Sequence, residues 1–295
     1  KIRGLVNTEI TAQDIGFKIA PRINAVGRIA NPDLILNLLS ETEYTKASNI
    51  AKKCDLINQE RRELSRGIES EVLALLENDE EKLPPFILIA QKHWHPGIIG
   101  IVASRLVERF NRPTALLAGN NDGLFRASVR APLGFLVNKA LEKCSDKLEN
   151  YGGHPAAGGF TVKAENISQL HMELNKIANS WLIDNASLLS IKPEAHIRFS
   201  EINDELWYKL SDLEPFGISN TRPIFWSRRC NVSKIINLKG GHIKLTLNQE
   251  DHSIDGIRWN TNSSIMIPKV IDIAFHIIMN KWMNKGKLEL EILEI

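Results

Sequence analysis

The sharpest chemical feature of the sequence is Gly152-Gly153-His154-Pro155-Ala156-Ala157-Gly158-Gly159, with four glycines and one histidine in eight residues. Glycine lets backbone N–H groups come close to an anion, and a histidine among them can donate to a phosphate oxygen or move a proton. By residue type the segment fits a phosphate cradle, and it fits equally a tight turn whose histidine bonds a carbonyl. A second segment, Pro21-Arg22-Ile23-Asn24-Ala25-Val26-Gly27-Arg28, sets two arginines around an asparagine and a glycine. The planar guanidinium fork suits phosphate or carboxylate recognition, although a surface loop with solvated arginines reads the same way. A third, Ser128-Val129-Arg130, follows a strand-like run. Alternation puts Ser128 and Arg130 on one side, a pair able to hold one phosphate or to stand solvated at a strand end.

Two further segments carry candidate chemistry. His93-Trp94-His95-Pro96-Gly97 offers two histidines but no nearby Cys, Asp or Glu to complete a zinc site, so a loop-to-helix junction over a packed Trp94 is expected. Downstream, Arg105, Arg109 and Arg112 are expected as a basic stripe on the helix that follows. The stretch 222–248 contains Arg222, Arg228, Arg229, Lys234, Lys239 and Lys244 with no Asp or Glu, together with Phe225 and Trp226. Basic groups interleaved with aromatics suit a single-strand groove, through phosphate charge and base stacking. An edge strand guarded by charge is the alternative. Metal-dependent phosphodiester hydrolases gather Asp, His or Glu around their ions. The first forty residues hold only Asp14 and Asp33 of these types besides Glu9, and Asp251-His252 stands in a polar turn, so no metal site assembles from the sequence.

The elements that must position these residues fall into two parts. Apolar residues at three- and four-residue steps predict one long helix over 42–76, its polar face carrying Lys52, Lys53, Glu60, Arg61, Arg62, Glu63 and Glu69. At ~1.5 Å per residue it would span about 50 Å, enough to bridge two lobes. Strands at 86–90 and 114–118 flank a helix at 97–110, an order that implies a small α/β domain with parallel pairing. Helices at 134–148 and 168–182 and a glycine-rich turn at 152–159 complete that domain. Beyond about 189 alternation marks strands at 195–199, 234–236, 242–247, 254–259, 271–279 and 287–292, which suits a small barrel or sandwich, an OB-type barrel being one candidate. Turn signals stand at Gly240-Gly241, 248–251 and Asn284-Lys285-Gly286.

Composition bounds the rest. The 295 residues suit two domains, and 43% hydrophobic with 24% charged residues excludes wholesale disorder. With 37 basic against 35 acidic residues, net charge does not argue for nucleic acid; only clustering can. Three scattered cysteines, Cys54, Cys144 and Cys230, give no disulfide framework and point to a reducing cytoplasm. No apolar run reaches the ~18 residues of a membrane span.

Taken in order, four segments resemble the RecJ family, single-strand-specific 5′-to-3′ exonucleases of the DHH phosphoesterase superfamily. They are PRINAVGR at 21–28, HWHPGIIGIVASRLVERFNRP at 93–113, GGHPAAGG at 152–159 and LEPFGISNTRPIF at 213–225. The resemblance implies the tail of a DHH domain over 1–41, a connecting helix over 42–80, a DHHA1 domain over 84–186 and an OB-type domain over 190–295. It implies two divalent ions, Mn2+ or Mg2+, bound by Asp and His residues upstream, since the sequence contains no DHH triplet. By matching, Arg22, Asn24, Gly27 and Arg28 face the cleft, and Ser128 and Arg130 hold the 5′ end of the strand. Gly152, Gly153 and His154 contact the phosphate, with His154 the catalytic candidate. Leu136 departs from the pattern, standing where some relatives place a histidine. The implied partner is single-stranded DNA, with a single-strand-binding protein or helicase beside it, for a cytoplasmic monomer in DNA repair and recombination. Two other readings compete: a non-catalytic scaffold from the same family, and a DHH-family oligonucleotide phosphodiesterase.

Overall fold

The computed structural model describes residues 12–77, 83–120, 122–185, 191–217, 219–238, 241–259, 266–280 and 286–295. Most of the turn signal at Asn284-Lys285-Gly286, together with Gly240, Lys239 and part of 1–41, lies outside the described residues. The chain forms two compact units, 1–189 and 190–295.

The first unit begins with helices where the sequence suggests loops. α1 (Ala12–Asp14), a π-helical turn (Ile15–Ile19) and α2 (Ala20–Ile29) follow one another directly. PRINAVGR is therefore helical: Pro21 occupies the first turn, where its missing N–H costs nothing, and Ala25 and Val26 are buried. α3 (Asp33–Ser40) starts after the turn-forming Asn31-Pro32 pair, and α4 (Tyr44–Glu77) is the long helix. Buried Cys54, Ile68 and Val72 mark its packed stripe.

A five-stranded sheet follows, in the order β1-β2-β3-β5-β4. β1 (Ile87–Gln91) and β2 (Thr114–Gly119) pair in parallel across α5 (Pro96–Phe110), as the strand–helix–strand order requires. β3 (Leu124–Arg130), β5 (Ala157–Lys163) and β4 (Asn150–His154) add antiparallel. On one face α4 and α5 bury Ile68, Val72, Ile98, Ile99, Val102 and Leu106 against Leu116 and Ala118. On the other face α6 (Val137–Lys143) and α7 (Ile167–Asp184) bury Val137, Leu141, Leu170 and Leu174 against Val129, Phe160 and Val162.

Three expectations fail here. The glycine-rich segment is a β-hairpin and not a turn: Gly152 pairs with Gly159, Gly153 with Gly158, and only 154–157 turns. The helix expected over 134–148 is confined to α6, because Gly134 takes φ +91° and Leu136 remains extended. The basic stripe also breaks: Asn111 ends α5 in the left-handed conformation, which puts Arg112 beyond the helix.

The second unit is a barrel. β7 (Phe225–Leu238), β8 (His242–Gln249), β9 (His252–Arg258), β11 (Lys287–Glu294) and β10 (Val270–Asn280) pair in that order, and β10 closes back on β7. The two-residue β6 (Ala195–His196) adds in parallel to β7. The strand expected over 195–199 stops early, because Phe199 opens a 3-10 turn and is buried. Phe275, Leu245, Leu247, Leu290 and Cys230 fill the barrel, and α8 (Asp204–Ser211), capped by Asn203, lays Leu206, Trp207 and Leu210 on it. Burial pushes the Cys230 thiol up to about 12, so it packs as a small hydrophobe.

Candidate functional site

The register of the first sheet gathers most of the sequence-derived candidates on one face. Residues directly opposite each other in antiparallel strands point the same way. Ser128, Gly159 and Gly152 form one cross-strand row; Arg130, Ala157 and His154 form the next. Their face is the one α5 covers over β2 and β3. Beyond α5 it opens, and Gly152 and His154 are exposed there. A glycine-floored shelf thus runs from Ser128 and Arg130 out to His154.

The glycines are required by packing on both sides of the sheet. A Cβ at Gly158 would stand 2.8 Å from Val137 Cγ1 of α6, and one at Gly153 would stand 2.5 Å from the Ala157 carbonyl oxygen. On the shelf side a Cβ at Gly100 of α5 would lie 3.1 Å from Arg130 Nη2 and 3.2 Å from Ser128 Oγ. A mid-helix glycine therefore makes the space that those two side chains occupy. Gly100 escapes a motif search; its signal is a glycine inside the otherwise apolar helical run IIGIVA.

The start of α5 forms the next wall. Pro96 occupies its first turn, and His95 Nδ1 accepts from the Gly97 N–H at 3.0 Å, so His95 is a cap. Trp94 is buried beneath, as expected, and its indole donates to Glu71 Oε2 of α4 at 2.8 Å. His93 Nε2 meets the same oxygen at 3.0 Å. The hydrogen bond from Trp94 holds the Glu71 carboxyl below the usual range, helped by His93 and opposed by burial.

α2 splits its motif between two faces. Ala25, Val26 and Arg22 turn toward α4, where Arg22 Nε pairs with Asp55 Oδ1 at 2.8 Å and the Arg22 side chain is 17% exposed. Arg22 also donates to the Lys18 carbonyl oxygen. Its guanidinium is thus neutralised within the fold, apart from the shelf. Asn24, Gly27 and Arg28 lie on the exposed face at helical spacing. Arg28 Nη1 reaches the Gly97 carbonyl oxygen at 3.3 Å, one turn of α5 from Gly100. Burial, then the Arg28 charge, push the Arg130 guanidinium down from its ordinary value, and Arg130 Nη1 donates to the Val129 carbonyl oxygen at 2.7 Å. Arg28, Ser128, Arg130, Gly152 and His154 therefore bound one shelf, with Gly153 on the reverse of the sheet. Cationic forks, a hydroxyl, an imidazole and a floor without side chains suit a phosphate ester.

In the barrel, Arg228 and Arg229 are both exposed although adjacent. A bulge makes this possible: Ser227 pairs with Ile273 and Cys230 with Ile271, leaving two residues opposite Asp272. Arg229 takes φ +52°, and its N–H donates to Asp272 Oδ1 at 2.8 Å. Arg228 stacks 4.5 Å from the Trp226 ring centroid, with His196 edge-on at 5.1 Å. The rest of the basic stretch is less free than its sequence suggests. Lys244 Nζ binds Glu289 at 2.9 Å and Asp255 at 3.3 Å, and Arg222 meets Glu291 at 3.6 Å. Neighbouring strands supply the acids that the stretch itself lacks.

Among the described residues no three His, Cys, Asp or Glu side chains come together to hold a metal ion. The donors among the described residues do not fit a divalent pair. Among the described residues no helix is long and apolar enough to cross a membrane.

Comparison with known proteins agrees with this layout. The DHHA1 domain family matches residues 84–180, and the RecJ OB domain family matches 194–294. The single-stranded-DNA-specific exonuclease RecJ of Bacillus subtilis is 31% identical over 96% of this chain and 37% of its own length. Its namesake from Salmonella typhimurium is 27% identical over 97% of this chain and 52% of its own. A crystal structure of RecJ from Thermus thermophilus in complex with Mn2+ shares the fold, with TM-score 0.79 and 22% identity over 98% of this chain and 42% of that one. The chain spans roughly a third to a half of the length of these relatives. A DHHA1 sheet with a glycine-floored shelf, followed by a closed five-stranded barrel, defines a chain of the DHHA1 class that also carries an OB domain. The chain carries a DHHA1 domain and a RecJ OB domain in that order and matches RecJ exonucleases over nearly all of its own length.

Proposed function

We propose that this chain is the strand-gripping part of a single-stranded-DNA-specific 5′-to-3′ exonuclease. The observation that carries the reading is the pair of cross-strand rows, Ser128-Gly159-Gly152 and Arg130-Ala157-His154, which place a hydroxyl, a guanidinium and an imidazole around a floor without side chains. Ser128 and Arg130 take the terminal phosphate, as the resemblance implies, Gly152 lets it lie close, and His154 donates to it. Arg28, with Asn24 and Gly27 on the same exposed helix face, lines the wall. Gly153 keeps the hairpin tight from behind.

Residues 1–41 are the tail of the lobe that would supply metals and nucleophile, 42–80 the connecting helix, 84–186 the DHHA1 domain and 190–295 the OB-type domain. When bound upstream, Mn2+ or Mg2+ would supply the activated water. Arg228, stacked on Trp226, and Arg229 serve the barrel as phosphate contacts. Such an enzyme works in the cytoplasm on strands already separated, so a helicase or single-strand-binding protein is its natural companion. The alternative of a binding protein without chemistry shares this grip and differs only upstream.

The test compares affinity for a 5′-phosphorylated and a 5′-hydroxyl oligonucleotide of the same sequence. The reading predicts tighter binding of the phosphorylated strand, with the difference abolished in Arg130→Gln. Equal affinity for the two ends would refute it.

A further inference from the structure

Two rows of the shelf carry the residues that the resemblance marks, and a third row carries none of them. Past Ser128 the alternation of β3 continues to Arg126, which pairs directly with Thr161 of β5, and Thr161 pairs with Asn150 of β4. Side chains two apart on a strand share a face, so Arg126, Thr161 and Asn150 stand on the same side as Ser128 and Arg130. The residues between them on β3, Phe125, Ala127 and Val129, are buried on the opposite side against α6 and α7. Arg126 and Asn150 are exposed, so this row is open to solvent. The three rows make one trough. Its wall is Arg130, Ser128 and Arg126, its floor Ala157, Gly159 and Thr161, and its lip His154, Gly152 and Asn150.

The charge of Arg126 has no role in the sheet itself. β3 is an inner strand, between β2 and β5, and needs no cation to guard an edge. The acids beside the row in sequence are engaged elsewhere. Glu149 pairs with Lys163 at 3.4 Å, and Asp122 Oδ2 accepts from Asn120 at 3.5 Å. Lys163, one row further along β5, is thus given a carboxylate, while among the described residues Arg126 has no ion pair. At ~3.4 Å per residue successive rows lie about 7 Å apart and the ends of the wall about 14 Å apart. Two guanidinium forks at that separation, facing one floor of small side chains, can take two successive phosphates and not one.

We propose that Arg126 and Thr161, with Asn150 on the lip, hold the phosphate of the first internucleotide linkage, next to the terminal phosphate at Ser128 and Arg130. The guanidinium, the hydroxyl and the amide N–H groups all donate, as a phosphodiester requires. This rests on the single-strand reading above and adds a direction to it. The strand lies along β3, its 5′ end at Arg130, and leaves over Arg126.

The test uses the full 295-residue chain and 5′-phosphorylated 12-mers of thymidine in which a single linkage is replaced by an uncharged methylphosphonate. Neutralising the first linkage should weaken wild-type binding on the order of tenfold, and neutralising the ninth far less. Arg126→Gln should lose a similar factor on the native strand, with a salt slope lower by about 0.7. It should then be indifferent to the first linkage, because both changes remove the same contact. Thr161→Val, which keeps the branched shape without the hydroxyl, should show part of that loss. Lys139→Gln, an exposed change on α6 across the sheet, should leave the first-linkage effect at its wild-type size. If Arg126→Gln melts lower than the wild type, Arg126→Lys carries the test and should retain the slope while losing part of the affinity. An Arg126→Gln variant that still loses tenfold at the first linkage, or that matches the wild type on the native strand, would overturn the subsite. A wild type that prefers a 5′-phosphate yet ignores the first linkage would refute the subsite alone. Equal binding of phosphorylated and hydroxyl ends would refute the single-strand reading with it.

Discussion

His154 and Arg130 stand in one cross-strand row of the sheet, with Ala157 alone between them. At ~4.8 Å per strand spacing their Cα atoms lie about 10 Å apart, and both side chains point to the same face of the sheet. Two groups 24 residues apart in sequence, one cationic and one able to donate or accept a proton, thus face the same small volume. The turn that brings them together is short: Ala131 N–H donates to the Ala156 carbonyl oxygen at 3.1 Å and Val137 N–H to that of Pro155 at 2.9 Å.

The row makes His154→Ala a clean variant. His154 is exposed and bears no packing, so stability should change by less than about 0.5 kcal/mol. Affinity for a 5′-phosphorylated strand should fall severalfold. Unchanged affinity in a titration by fluorescence anisotropy would remove His154 from the site.

Gly100→Ala separates binding from stability. In a helix the change from glycine to alanine is ordinarily worth about 0.5–1 kcal/mol in favour of alanine. Here the new methyl would press on Arg130 Nη2 and Ser128 Oγ at 3.1 and 3.2 Å. Both can yield, so the expected outcome is a melting temperature near the wild type with weakened phosphate binding. Gly158→Ala should behave oppositely, because its methyl meets Val137 Cγ1 at 2.8 Å and the Gly152 carbonyl oxygen at 2.9 Å. Overpacking of that kind costs about 1–3 kcal/mol, measurable by thermal or urea denaturation.

Glu71 gives a pH signature. Its carboxyl is held below the usual range by Trp94, so its ionised form favours the folded state. The resulting stability is fully present above about pH 4.3, the ordinary glutamate value, and is lost as pH falls through the lowered folded value. Glu71→Gln should therefore be less stable than the wild type at neutral pH, with the gap closing in acid. A gap that stays constant from pH 7 to pH 3 would show that the ionised form makes no special contribution.

In the barrel, Arg228→Ala and Arg229→Ala should each lower the salt slope of single-strand binding by about 0.7. Arg228→Ala should also expose the Trp226 face, so its loss of affinity should be partly offset for stacking-prone bases. Unchanged slopes would make both arginines solvated edge charges.

How far the sequence discloses this arrangement depends on what holds each element. α4 is legible because apolar spacing persists over many turns, and β1, α5 and β2 are legible because buried runs alternate with an amphipathic helix. PRINAVGR conceals its helix because proline, asparagine and glycine are poor formers; burial of Ala25 and Val26 overrides them. The glycine hairpin is concealed for the same reason in reverse, since partners on β3 and α6 place residues of low strand propensity in a sheet. Charge is the least legible quantity. The basic stretch 222–248 looks uncompensated until Asp255, Glu289 and Glu291 arrive from other strands, and Arg61 looks solvated although it is half-buried and donates to buried Asn58.

The most direct test of the central claim follows a fluorescent 5′-phosphorylated single strand incubated with this chain and Mn2+, with binding monitored alongside degradation. The account predicts a strand that is bound and left intact, because the shelf grips phosphate while the described residues gather no metal-binding cluster. Metal-dependent shortening of the strand, or no binding at all, would contradict it.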